Sequence, residues 1–66
     1  MYSIEICIRG NWDRIDGRLT LEMAVPVAKE ASEQQQRKTR IVRGGVLSLP
    51  TVVWDSQKGF TETQNV

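Results

Sequence analysis

The chain has 66 residues, nine Lys and Arg against eight Asp and Glu, no histidine and one cysteine. A domain this small has a marginal core. A lone Cys7 excludes an internal disulfide and, without histidine, a four-ligand zinc site, so packing or association must supply what is missing. The near-neutral balance of charge speaks against a nucleic-acid mimic and against a dedicated basic nucleic-acid binder, whose pI lies above about 9.

A hydrophobic content of 39% fits a globular chain rather than a disordered one. Glu5 and Arg9 interrupt the early apolar stretch, so nothing reads as a signal peptide, and no run approaches the roughly 20 apolar residues of a membrane helix. A single thiol without a secretion signal is expected in a reducing cytoplasm.

Tyr2, Ile4, Ile6 and Ile8 alternate with Ser3, Glu5, Cys7 and Arg9. This period of two predicts a half-buried strand with the isoleucines facing the core. Gly10-Asn11 predicts a turn, Trp12–Ile15 a short returning strand, and Asp16-Gly17 the turn that ends it. Thr20 is the expected N-cap of a helix over about 21–36, with Leu21, Ala24, Val25, Ala28 and Ala31 on one stripe. Glu33 and Arg37 stand at i,i+4 spacing, and Arg37 and Lys38 suit a helix C-terminus. Pro26 removes a backbone donor from that helix, which predicts one helix with a disturbed first half.

Thr39–Arg43 predicts the next strand, with Ile41 on one face and Arg40 and Val42 on the other. Gly44-Gly45 predicts a tight turn, after which Val46–Leu49 pairs back. Pro50 cannot donate to a ladder, so this second arm is an edge or restarts at Thr51. Residues 55–66 have no periodicity and one large apolar side chain, Phe60, and are expected to form a flexible tail on a single domain spanning 1–54. The whole predicts an α+β fold: a small antiparallel β-sheet in the order β-β-α-β-β with one helix packed on one face, its stripe meeting Ile4, Ile6, Ile8, Ile15 and Ile41, while Glu5, Cys7, Arg9, Arg40 and Val42 form an opposite, wet face.

The sequence contains no catalytic constellation. Without histidine the commonest general base is missing, and Cys7 lacks an activating partner. Asp13 and Asp16 beside Gly17 do not have calcium-loop spacing and are better read as turn residues. Gly44-Gly45 lacks the Lys-Ser/Thr and helix of a phosphate loop. No enzyme and no cofactor are expected.

Two binding surfaces compete. Val46, Leu47, Leu49, Val52, Val53 and Trp54 are six large apolar residues in nine, twice the fraction of a strand that is apolar on one face. Unless this arm is an internal strand buried in the protomer, it is a docking surface, most simply for a second copy, and the expectation is a homodimer joined through it. The alternative is a nucleic-acid contact through Arg37, Lys38, Arg40 and Arg43, with Trp12 or Trp54 stacking on an unpaired base. Against it, Arg40 and Arg43 alternate onto opposite faces, and the cluster also reads as a helix end and a charged strand.

A strand followed by Trp12, a Thr20-led helix with Ala24 and Ala28, then Arg40-Ile41-Val42-Arg43 and a glycine turn resembles small accessory proteins of bacteriophages and mobile elements, over roughly residues 2–49. Pro26 departs from their unbroken helix. The resemblance implies a protein that binds and blocks a host protein, including host defence enzymes; it carries no site residues.

Overall fold

The computed structural model describes residues 1–44 and 49–61. Strands β1 (Tyr2–Ile8) and β2 (Asn11–Arg18) precede helix α1 (Leu21–Gln35); β3 (Thr39–Arg43), β4 (Thr51–Asp55) and β5 (Gly59–Phe60) follow. The strands form one antiparallel sheet in the order β2-β1-β3-β4-β5, with the helix across one face. The α+β architecture expected from the two periodicities is therefore present.

Each periodic element forms for the reason its pattern gives. Ile4 and Ile6 are buried, and Ile4 shares one core with Ala24 and Ala28 of the helix, whose small side chains let its backbone approach the sheet. The Thr20 hydroxyl accepts the Met23 N–H at 3.2 Å and starts the helix. Pro26 lies inside the helix but on its exposed side. Pro26 has no N–H to donate to the Glu22 carbonyl, and both residues are exposed, so water can reach this face of the helix. Gln36 ends the helix with φ 52°, and the Arg37 N–H returns to the Ser32 carbonyl. Arg37 and Lys38 thus lie beyond the helix, and the expected Glu33–Arg37 helical pair does not form.

Four departures from the periodic reading have local causes. Arg9 and Gly10, both at positive φ (54° and 82°), are the β1–β2 turn residues, one position earlier than expected. β2 runs through Asp16-Gly17 to Arg18, because Asp16 accepts the Gly17 N–H at 2.8 Å and Arg18 at 2.9 Å without leaving the ladder. Ile15, expected in the core, is 43% exposed. The β1–β2 register shifts there, from Ile4 opposite Asp16 to Glu5 opposite Arg14, so Ile15 is the extra residue of a bulge. Val42, expected on a wet face, is 6% exposed, because β3 is internal and Ser3 and Val52 flank it across the ladders.

The polar seam between helix and sheet is Thr39, buried at 1%. Its hydroxyl donates to the Ala28 carbonyl at 3.0 Å, its N–H donates to the Ser56 hydroxyl, and its carbonyl accepts the Ser56 N–H. One residue therefore ties α1, β3 and the β4–β5 turn together.

Candidate functional site

Val53 and Trp54 are core residues, at 1% and 3% exposure, clustered with Ile4, Ala24, Ala28 and Ile41. This corrects their placement on a docking surface. β4 is internal, between β3 and β5, and its pairing shifts from Ile41 opposite Trp54 to Val42 opposite Val52, which leaves Val53 as the extra residue of a second bulge. A bulge breaks strict alternation. Two successive apolar residues thereby join one core, and the apolar run needs no second face to bury it. Val52 is half-buried on the opposite sheet face, Leu49 is 87% exposed ahead of β4, and Val46 and Leu47 lie outside the described residues. The pairing strand begins at Thr51, beyond Pro50.

Residues 55–61, expected in a tail, belong to the sheet and its last turn. Asp55 belongs to β4, its carboxylate accepts the Gln57 and Lys58 N–H groups at 2.8 and 2.9 Å, and the turn they form returns the chain as β5. Thr61 closes the edge, its N–H on the Val53 carbonyl and its hydroxyl on that of Val52. Residues 62–66 lie outside the described residues.

The basic cluster is divided. The Arg40 Nε donates to Glu5 Oε1 at 2.6 Å, and its guanidinium lies 4.2 Å from the centre of the Trp12 ring. Arg40 is thus committed to a cross-strand ion pair and a cation–π contact on the sheet face opposite the helix. Arg43 pairs with Tyr2 and Thr51 at the far end of the sheet from Lys38. Trp54 is buried and cannot stack on a base; Trp12 is half-buried.

Among the described residues, register places the strand ends at one of two ends of the sheet. Tyr2, Arg18, Arg43 and Thr51 are level, so Met1, Leu19, the helix start and Leu49 share one end. Exposed there are Met1 at 68%, Leu19 at 73%, Met23 at 49% and Leu49 at 87%. Ile8 pairs with Asn11, the Cys7 N–H donates to the Lys38 carbonyl, and Arg40 pairs with Asp55. The opposite end therefore collects Arg9, Arg37, Lys38 and Lys58, all exposed. Sequence reasoning missed Arg9 and Lys58, which sit in turns far from the 37–43 segment and join it only through strand pairing.

At this cationic end a depression of about 190 Å³ is lined by Trp12, Lys38, Thr39, Asp55, Gln57 and Lys58. A neighbouring one of about 390 Å³ is lined by Ser32, Gln36, Arg37, Lys38, Ser56 and Gln57. Asp55 is a carboxylate set among these cations. The Lys58 N–H, the Gln57 N–H and the charges of Lys58 and Lys38 hold its pKa below the ordinary 3.8. Asp16, near the apolar end, is likewise lowered, by the Arg18 side chain first and the Gly17 N–H second.

Among the described residues no group of three or more His, Cys, Asp or Glu could hold a metal, and no helix is long and apolar enough to cross a membrane. No protein-family model matches the chain, and no curated protein or solved structure matches it.

Proposed function

We propose that this protein is a non-catalytic protein-binding module that self-associates through its apolar end. One observation carries the reading: Met1, Leu19, Met23 and Leu49 are large apolar side chains, about half to nine-tenths exposed, brought to one end of the sheet by register. Scattered exposed apolar residues are ordinary, whereas four at one end of a domain with little core supply a docking surface, with Met1 toward Arg14 on the face opposite the helix and Met23 on the helix itself. The occupant we assign is a second copy. Beside this end Arg18 and Asp16 neutralise each other at 2.9 Å and Arg43 adds one cation, while four cations stand at the other. A two-fold dimer through the apolar ends buries what water disfavours and holds the two cationic ends apart.

Sedimentation over a concentration series tests this. The chain should dimerise at or below about 100 μM, the range of transient micromolar contacts, and Leu19→Lys with Leu49→Lys should weaken association at least tenfold without loss of fold. A monomer throughout that range would refute self-association. The host-enzyme inhibitor implied by the phage-type resemblance would then be the reading to pursue, with the same apolar end as its contact.

A further inference from the structure

We propose that the cationic end formed by Arg9, Arg37, Lys38 and Lys58 binds the phosphates of a single-stranded oligonucleotide, with Trp12 beside them to stack on a base. The proposal is independent of self-association and uses the opposite end of the molecule.

The first ground is convergence. The four cations come from three separate connections: the β1–β2 turn, the link from α1 to β3, and the β4–β5 turn. A near-neutral chain thus gathers four cations at one end, while several of its acidic side chains stand elsewhere. Asp16 pairs with Arg18 near the other end, Glu5 pairs with Arg40, and Glu22 sits in the first helical turn. Asp55 lies within the cationic end, where two backbone N–H groups occupy its carboxylate, and Glu33 lines the adjoining depression with Lys29 and Ser32.

The second ground is shape and chemistry. Lys38 and Gln57 border both depressions, so phosphates following Arg37, Lys38 and Lys58 would run from one to the other. Gln36, Ser32 and Gln57 line the larger one with neutral donors. Trp12 borders the smaller depression, and Arg40 steadies its ring. Cations tracking a backbone beside an aromatic ring are what single strands require; stacking tolerates any base, so little sequence preference is expected.

The third ground is Arg9. It occupies a turn position at φ 54°, where glycine, asparagine or aspartate is favoured. A long cationic side chain thus occupies a conformation the backbone disfavours, at this end of the sheet.

Fluorescence anisotropy of a labelled single-stranded 12-mer, titrated with the full chain, tests the proposal. Contact with about four phosphates predicts a slope near −3 for log affinity against log salt. Lys38→Glu with Lys58→Glu should lower affinity at least tenfold, whereas Arg18→Glu with Arg43→Glu, the same charge change at the other end, should lower it less than threefold. Trp12→Phe should weaken binding with the salt slope unchanged. Lys58→Gln gives a milder probe if the double reversal fails to fold. Binding should persist in Leu19→Lys/Leu49→Lys, which separates this site from self-association. No binding at about 50 mM salt, where phosphate contacts are strong, or equal losses from the two double reversals, would overturn it. So would equally tight binding of polyglutamate, which would reassign this end to an acidic protein segment.

Discussion

The two ends of this sheet are made from the same kinds of connection, yet one exposes Met1, Leu19, Met23 and Leu49 and the other Arg9, Arg37, Lys38 and Lys58. The difference does not follow from local sequence, since the apolar run of residues 46–54 and the basic run of residues 37–43 are each divided by the fold. Val53 and Trp54 go to the core while Leu49 goes to an end; Arg40 goes to the sheet face while Arg37 and Lys38 go to the opposite end. Strand pairing, which brings distant turns level, decides which residues act together.

The sharpest break in this comparison is between Trp54 and Leu49, five residues apart. Trp54→Ala should cost about 3–5 kcal/mol, as removal of a buried aromatic does, enough to unfold much of a marginal domain. Leu49→Ala should change folding stability by less than about 0.5 kcal/mol, as an exposed site does. Urea denaturation compares the two; equal losses would return Leu49 to the core or Trp54 to the surface.

Thr39→Val should cost about 1 kcal/mol, because it removes the hydroxyl donated to the Ala28 carbonyl from a buried site. Its thermal melt should also show whether the cationic end loosens, since Thr39 fastens the β4–β5 turn that carries Lys58.

Arg9→Asn should act in two directions. Relief of a disfavoured backbone conformation should raise stability by about 0.5–1 kcal/mol, while loss of one cation should flatten the oligonucleotide salt slope by about 0.7. A melting temperature that falls would remove the strain argument for Arg9.

The smallest effect concerns Asp55. Its pKa is lowered on folding, so the stability it contributes is present above the unfolded value near 3.8 and is lost as pH falls through the lower folded value. Asp55→Asn keeps an oxygen acceptor for the Gln57 and Lys58 N–H groups and removes the charge. Stability of the variant should therefore fall less steeply than wild type below about pH 4, as read from melts in a pH series, and its oligonucleotide affinity should rise.

Much of the fold was legible where one element carries one unbroken period. β1 keeps strict alternation from Tyr2 to Ile8, and the helix is bounded by Thr20 and a polar run, so both emerge within a residue of their expected limits. Legibility failed at the two bulges. An inserted residue has no sequence signature, yet it breaks the alternation on which burial was assigned. That misplaced Ile15 inside and Val53 with Trp54 outside. β5 was missed because two residues are too short for a period, although Asp55 and Gly59 are ordinary turn chemistry. Of the candidate surfaces, Leu49, Arg37 and Lys38 were in view. Leu19, Met23, Arg9 and Lys58 were not, since register alone makes them neighbours.

The central claim is that two copies meet at their apolar ends and hold their cationic ends apart. A Lys58→Cys substitution in a Cys7→Ser background places one spin label at each cationic end. With strands rising about 3.3 Å per residue, two copies joined at their apolar ends should give an interlabel distance of about 40 Å or more by pulsed dipolar spectroscopy. A dominant distance below about 25 Å, or no intermolecular dipolar signal at concentrations where the chain sediments as a dimer, would contradict the arrangement.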